Sequence, residues 1–314
     1  MRSRFLPEGR LLHTPENEAA CASRDGLRRA MEEETVLEGV AQLCDGAHNL
    51  LVSVGPFTGF LPREEAALGI AEGTTREIAI LSRVGKPVCF QITALEESEG
   101  VLRPRLSRRR AQQAALDAML AGLHPGCILP AVVTHLESFG AFVDIGCGVP
   151  SLIGIENISV SRIPHPDQRF RVGQAIFAVV QELDPKLGRV YLTHRELLGT
   201  WEENAAAFCA GDTVPGIVRS VEDYGIFIEL TPNLAGLAEP RPGVYPGQRA
   251  TVTIKSLNPA RMKVKLILID SFDQPGAPRE MSYFVQGDHI DRWEYSPAAC
   301  ARKIVTDFSA VRAQ

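Results

Sequence analysis

The sequence predicts an all-β protein of three tandem five-stranded barrels, joined by short helices, with an N-terminal helix and a C-terminal tail. Two observations support this prediction. The first is an alternating stretch in which Ala141, Val143 and Ile145 point to one side. Phe142 and Asp144 point to the other side, which is typical of a strand with one buried and one solvent-facing surface. The second is that the same pattern returns 85 residues later without a gap.

The repeat preserves an unusual outward-facing aromatic. A shift of 85 residues places Phe139 on Tyr224 and Phe142 on Phe227. In the later copy, Phe227 and Glu229 are expected on the solvent-facing side of the strand. Exposed aromatics beside a turn are typical of a platform on which nucleic-acid bases stack. Packing beneath a neighbouring loop would account for one such residue, but it accounts less well for two matched ones.

The repeat and the helical patterns between its copies divide the chain into seven predicted segments. They are an N-terminal leader and helix (1–34), a first barrel (35–107), a linking helix (108–123), a second barrel (124–194), a second linking helix (195–210), a shortened third barrel (211–270) and a tail (271–314) in which residues 281–295 are expected to form a hairpin. In the second barrel, five short strands have a long connection between the third and the fourth. That order predicts the Greek-key barrel called the OB fold.

The first barrel is a degenerate copy of the repeat. Its aromatic positions hold approximately His48 and Leu51, so the stacking platform is absent. A helical insert (63–83) precedes its fourth strand. We therefore expect a structural or protein-binding role for this barrel.

An arginine-rich stretch ends the first barrel and opens the linking helix. Five arginines and no acid lie between Arg103 and Arg110, both included. A solvated helix start is the simpler interpretation of this run. The functional interpretation is a basic patch that contacts a phosphate backbone.

The composition is that of an ordinary soluble globular protein, with 45% hydrophobic and 23% charged residues among 314. Seven scattered cysteines form no C-x-x-C pair, so we expect reduced thiols in a cytoplasmic protein rather than disulfides or a zinc site. No apolar run approaches the length of a membrane span. The net charge of −5 argues against strong non-specific binding to nucleic acid, so any such contact must come from local patches.

A search for enzyme chemistry finds no catalytic motif. The seven histidines show no spacing typical of metal ligands, and neither a phosphate-binding loop nor a nucleophile elbow is present. His135 and His194 are interpreted as structural histidines near strand ends. Asp144 and Asp184 form at most an isolated acid pair, which is weak support for hydrolysis. We expect no catalysis, no cofactor, no bound metal and no small-molecule substrate.

The central copy resembles the S1 RNA-binding domain, an OB-fold module. The residues that carry the resemblance are S-F-G-A-F-V-D-I-G at 138–146, L-I-G-I at 152–155 and G-R-V-Y-L at 188–192. The third copy matches well and the first only in outline. The arrangement is similar to that of a short relative of the bacterial small-subunit ribosomal protein after which the module is named.

In this family a pair of aromatics, a histidine, an aspartate and an arginine line the RNA face. For the central barrel the resemblance implies Phe139, Phe142, Asp184 and Arg189, while Gly154 stands at the histidine position. Without the resemblance, a strand-turn salt bridge between Asp184 and Arg189 would be about equally compatible with the sequence.

For the third barrel the resemblance implies an RNA face with a departure at the histidine position, where Glu239 stands. Arg219, on the first strand of this barrel, is expected to extend the RNA face. The implied residues are Tyr224, Phe227, Asn258 and Lys263. RNA competence is expected to be highest in the central barrel and lower in the third.

The resemblance predicts non-catalytic binding of single-stranded RNA, messenger RNA above all, in translation and with the small ribosomal subunit as a partner. The alternative is a protein-interaction module on the ribosome or in an RNA-processing complex, with little RNA affinity of its own. The acidic balance, the missing histidines and the degenerate first barrel favour that alternative.

Overall fold

The computed structural model describes residues 5–273, 281–285 and 287–309. Within them, the strands form three closed five-stranded barrels and one two-stranded pair, so the predicted fold class is confirmed. The chain divides into two compact units. Unit 1 comprises residues 1–123, 130–132 and 144–150, and unit 2 comprises residues 124–129, 133–143 and 151–314. In this part of the chain, no helix is long and apolar enough to span a membrane.

The first barrel has the strand order β1-β2-β3-β5-β4 and closes where β4 pairs with β1. Leu50, Val52 and Val54 alternate along β2 and are fully buried, which explains why this short apolar segment is a strand. A parallel pairing of Phe60 with Arg105 joins β3 to β5, as the OB fold requires. The strands are β1 (Leu37–Cys44), β2 (Leu50–Val54), β3 (Phe57–Leu61), β4 (Pro87–Ser98) and β5 (Val101–Ser107).

The second and third barrels repeat this order. In the second, the strands are β6 (Ile128–Glu137), β7 (Gly140–Asp144), β8 (Pro150–Gly154), β9 (Ala175–Asp184) and β10 (Arg189–Thr193). In the third, they are β11 (Thr213–Glu222), β12 (Gly225–Thr231), β13 (Leu234–Ala238), β14 (Arg249–Asn258) and β15 (Lys263–Phe272).

The N-terminal helix and the second linking helix are shorter than the sequence pattern predicts. The expected N-terminal helix is interrupted at Ser23, whose hydroxyl accepts the Gly26 N–H at 3.1 Å and so caps a second helix. The second linking helix is a 3₁₀ turn followed by one short helix, because Gly199 adopts φ +81° between them. The helices are α1 (Pro15–Cys21), α2 (Arg24–Glu32), α3 (Ile78–Leu81), α4 (Arg108–Gly122) and α5 (Trp201–Ala205).

The tail pairs with different partners from those expected. Residues 281–285 form no strand, and Gln286 lies outside the described residues. The antiparallel pair is instead β16 (Arg292–Glu294) with β17 (Val305–Asp307). Trp293 and Tyr295 are buried in the hydrophobic cluster that contains the core of the third barrel.

Two strand acids that the alternation placed in solvent are buried. In unit 1, Asp144 accepts the backbone N–H groups of Glu8 at 2.7 Å and Gly146 at 2.8 Å. Burial, with the nearby charge of Glu8, raises the pKa of Asp144 to about 7. In unit 2, Glu229 is 5% exposed and binds two arginines. The prediction of a solvent-facing position is therefore wrong for both acids, because other segments cover them.

The arginines of the run at 103–110 form ion pairs mostly with carboxylates of unit 1. Arg108 is buried and its Nε and Nη2 lie 2.6 and 2.9 Å from the two oxygens of Glu8. Arg109 lies 2.9 Å from Glu65. These pairs hold the start of α4, so the run does not form a continuous patch open to phosphates.

Candidate nucleic-acid interface

Two aromatic pairs occupy equivalent turns in the second and third barrels. The ring centroids of Phe139 and Phe142 are 6.0 Å apart with an interplanar angle of 89°. Those of Tyr224 and Phe227 are 6.1 Å apart at 87°. Phe139 is 54% exposed and Tyr224 is 68% exposed. The repeat thus reproduces an edge-to-face pair that presents ring surface to solvent.

A glycine directly follows the first aromatic of each pair and lets the chain pass close to the neighbouring strand. Gly225 follows Tyr224 and begins β12, and a Cβ there would lie 2.7 Å from Leu237 on the next strand. At Gly140, a Cβ would lie 3.1 Å from Leu152. The closest atoms are backbone carbonyl oxygens, of Ile153 at Gly140 and of Ala238 at Gly225, so a side chain at either position would clash with the neighbouring strand.

The strand register of the third barrel adds Lys265 to the candidate RNA-contacting residues, a lysine that sequence reasoning missed. Phe227 pairs with Leu237, and Leu237 pairs with Lys265, so the three residues share one outer row. Lys263 lies two residues before Lys265 and is exposed on the same face. The alternation K-V-K-L, with Val264 and Leu266 buried, is the signal that could have found it.

The second barrel has an aromatic at the position of this lysine. Tyr191 pairs with Leu152 across the parallel strands β10 and β8 and is half-buried. Arg189 lies two residues earlier and is exposed. The outer row of this barrel therefore combines an arginine and a tyrosine, where the third barrel has two lysines.

The predicted acid and cation positions face each other across the last turn of each barrel. Asp184 pairs in register with Arg189, and Asn258 with Lys263. The Asp184 carboxylate accepts the N–H groups of Lys186 and Leu187, both at 3.0 Å, and so shapes the turn. No ion pair joins Asp184 to Arg189 in the part of the chain that the structure describes, so the alternative salt bridge is not formed.

His135 lies on the same face, contrary to its interpretation as a structural histidine. Its side chain is 63% exposed, and its ring centroid is 6.4 Å from that of Phe142. Its Nε2 lies 2.7 Å from Glu137. Gly154 offers no side chain at the histidine position of the family, and His135 supplies an imidazole beside the aromatic pair instead.

Arg219 does not extend the RNA face of the third barrel, and this prediction is corrected. Its Nε and Nη2 lie 2.7 and 3.1 Å from the carboxylate of Glu229. Its Nη1 lies 3.1 Å from Gln168, and its side chain is only 7% exposed. A guanidinium held by a buried carboxylate is not available to a phosphate.

The first barrel carries an ion-pair cluster near the position of the missing platform. His48 Nδ1 lies 2.6 Å from one oxygen of Glu77, and Arg63 binds the other at 2.8 Å through Nε. These contacts lower the pKa of Glu77, the hydrogen bond from Arg63 most of all. Leu51 is half-buried.

Residues 123–195, which span the second barrel, match the family model described as the S1 RNA binding domain. The second barrel is thus similar to S1 RNA binding domains in sequence. The chain is similar to the small ribosomal subunit protein bS1 of Leuconostoc lactis, with 29% identity over 69% of this chain and 52% of the relative. It is 25% identical to bS1 of Rhizobium meliloti over 69% of this chain and 39% of the relative.

The chain spans between 39% and 63% of the length of the curated relatives it matches. The bS1 homolog of Bacillus cereus is 26% identical over 75% of this chain. Among solved structures, a multidomain protein with nucleic acid binding domains from Streptococcus pneumoniae covers 77% of this chain and 75% of its own at 16% identity. Its TM-score is 0.25, which adds nothing to the fold assignment.

Proposed function

We propose that this protein binds single-stranded RNA, messenger RNA above all, across the outer faces of the second and third barrels. The observation that carries the proposal is the pair of matched edge-to-face aromatics, Phe139 with Phe142 and Tyr224 with Phe227. Aromatics that served packing alone would be buried, yet the turn residue of each pair is more than half exposed.

Each exposed ring offers a surface for one unstacked base. Such stacking contributes about 1–3 kcal/mol per base and tolerates any sequence, because every base has a π face. Arg189, Lys263 and Lys265 are exposed on the last strands of the same two barrels, where they neutralise backbone phosphates. The proposed role is binding without catalysis.

Two weak platforms on one body bind better than either platform alone. The second barrel supplies Arg169 and the third supplies Glu229, and their side chains form a buried ion pair at 2.6 Å. This contact limits the motion of one platform relative to the other. A strand that engages the first platform therefore meets the second at a high effective concentration.

The cellular context is part of the proposal. The relatives carry the name small ribosomal subunit protein bS1, and this chain spans only part of them. We assign the protein to translation in the cytoplasm, with the small ribosomal subunit as its partner.

Fluorescence anisotropy with short labelled RNAs tests the proposal at low and moderate salt. Phe139→Ala/Phe142→Ala is expected to weaken binding by roughly 5- to 150-fold for each stack that is lost. The matched control is Tyr245→Ala, an aromatic that is 49% exposed. It precedes β14, far from the turn that holds Lys263, and should leave affinity unchanged. Absence of binding at low salt, or equal loss in the control, would overturn the proposal.

A second candidate function belongs to the first barrel, whose insert exposes an apolar stripe. Ile78, Leu81 and Val84 are 64%, 43% and 42% exposed at helical spacing. This surface fits a protein partner on the ribosome. Ile78→Ser/Leu81→Ser should reduce co-sedimentation with small subunits and leave binding to free RNA unchanged. Unchanged co-sedimentation would count against it.

A further inference from the structure

The tail of the chain is hydrogen-bonded through its backbone to the start of the second barrel. Residues 288–290 lie antiparallel to residues 126–128, with two backbone hydrogen bonds of 2.8 and 2.9 Å. Between these bonds, Cys127 and His289 form an isolated β-bridge. Cys127 is itself anchored on the barrel, because its carbonyl accepts the N–H of Val180 at 2.8 Å.

Three metal-ligating side chains meet at this bridge. The Sγ of Cys127 lies 3.1 Å from Nδ1 of His124. The rings of His124 and His289 pack edge to face, with centroids 4.8 Å apart. One ligand atom from each of the three residues lies within 4.8 Å of the other two.

The backbone is shaped to allow this approach. Gly126 adopts φ +91°, a conformation that favours glycine. A Cβ at this position would lie 2.6 Å from Cε1 of His289. A side chain at position 126 would therefore clash with the backbone at Ile290 and with the imidazole of His289.

We infer that His124, Cys127 and His289 form a binding site for a divalent transition metal, for which zinc is the best fit. One thiolate and two imidazoles are a donor set typical of zinc, and tetrahedral bonds of about 2.1–2.3 Å place donor atoms roughly 3.5 Å apart. The 3.1 Å between Sγ of Cys127 and Nδ1 of His124 is close to that value, and the His289 donor lies within 4.8 Å of both. The fourth position is filled by water or by a further oxygen ligand.

A neighbouring carboxylate is placed to orient one ligand. Oδ1 of Asp291 lies 3.1 Å from Nε2 of His289. This carboxylate–histidine arrangement orients an imidazole whose Nδ1 ligates metal. The metal would tie the tail to the second barrel, next to the buried Trp293 and Tyr295. This role is independent of the proposed binding to RNA.

Cobalt substitution tests the site in the untagged 314-residue protein. After treatment with a chelator and its removal, Co²⁺ is expected to bind in one equivalent. A thiolate-to-cobalt charge-transfer band in the near ultraviolet should appear, and Zn²⁺ should displace it. Cys127→Ser should abolish the band, and His289→Gln should weaken cobalt binding at least tenfold. The matched control is Cys209→Ser, because Cys209 is an exposed cysteine outside the cluster.

Circular dichroism of each variant, recorded without metal, separates a lost ligand from a lost fold. Zn²⁺ should raise the melting temperature of the wild type and of Cys209→Ser, but not of folded Cys127→Ser. It should also slow alkylation of Cys127 by iodoacetamide. A band that survives in Cys127→Ser would overturn the inference. Failure of the wild type to bind Co²⁺ or Zn²⁺ with all thiols reduced would overturn it as well.

Discussion

The Nη2 atom of Arg169 lies 2.6 Å from Oε2 of Glu229, and the two side chains are only 4% and 5% exposed. The same oxygen lies 2.7 Å from Nε of Arg219. Burial lowers the pKa of Arg169, and the charge of Glu229 opposes that effect. One carboxylate therefore balances the charge of two buried guanidinium groups and holds the second barrel to the third.

Glu229→Gln is expected to destabilise unit 2 strongly. The substitution leaves two buried cations without their counter-charge, which costs about 3–5 kcal/mol in the free energy of unfolding. Urea denaturation followed by circular dichroism measures the change. Glu222→Gln is the matched control, since Glu222 is exposed at the end of β11 and should alter stability by about 0.5 kcal/mol or less. Similar values for the two variants would contradict the prediction.

His194 should make unit 2 sensitive to acid. It is fully buried, with Nδ1 2.9 Å from the Ile158 carbonyl and Nε2 3.2 Å from the Tyr283 hydroxyl. Burial lowers its pKa to about 4, and the charge of Arg169 acts in the same direction. Between pH 6.5 and 4, the His194 imidazole is therefore protonated in the unfolded chain but neutral in the folded chain. Stability is complete above pH 6.5 and falls by roughly 3 kcal/mol toward pH 4.

Urea unfolding at several pH values between 4 and 7.5 measures this dependence. His194→Gln removes the titrating group, so its stability should change less with pH than that of the wild type, whatever its stability at pH 7. All other titratable groups are common to the two proteins, so the difference between the curves isolates His194. Parallel curves for the two proteins would show that His194 does not cause the acid sensitivity.

His135→Ala is expected to weaken RNA binding about fivefold, the equivalent of ~1 kcal/mol for one lost stacking or hydrogen-bonding contact. The exposed imidazole lies beside Phe142, where a base on the platform would meet it. His165→Ala is the control, because His165 is also partly exposed but lies in the connection before β9. Anisotropy titrations should show a loss for the first variant only, and equal affinities would rule out a role for His135.

The barrels could be predicted because their signal is local. The alternation from Ala141 to Ile145 depends on the two-residue period of a strand, and its return after 85 residues made the assignment firm. The turn aromatics could be placed for the same reason, since Gly140 and Gly225 follow them directly. Short-range geometry decides all of these features.

What covers each strand could not be predicted. Alternation gives the direction of Asp144 and Glu229, but a distant segment decides whether that side meets water. Glu8 covers the first acid, and Arg169 covers the second. The prediction for Arg219 fails for the same reason, because its partner Glu229 is buried instead of facing solvent. The cluster of Cys127 with His289 likewise has no local spacing that a motif search would recognise.

Lys263 and Lys265 are expected to set the salt dependence of RNA binding. Each phosphate neutralised on a single strand adds about 0.7 to the slope of log affinity against log salt concentration. Lys263→Gln/Lys265→Gln should therefore lower the slope by about 1.4 if each lysine contacts one phosphate. Lys86→Gln, an exposed lysine of the first barrel, is the control for net charge.

The same titrations distinguish phosphate contact from a general charge effect. Loss of affinity without a change of slope would mean that the two lysines support the fold of the outer row rather than bind phosphate. An equal change of slope in Lys86→Gln would mean that overall charge, and not the row shared with Phe227, governs binding. A reduced slope only in the double variant places the phosphate track along β15, beside the aromatic pair of the third barrel.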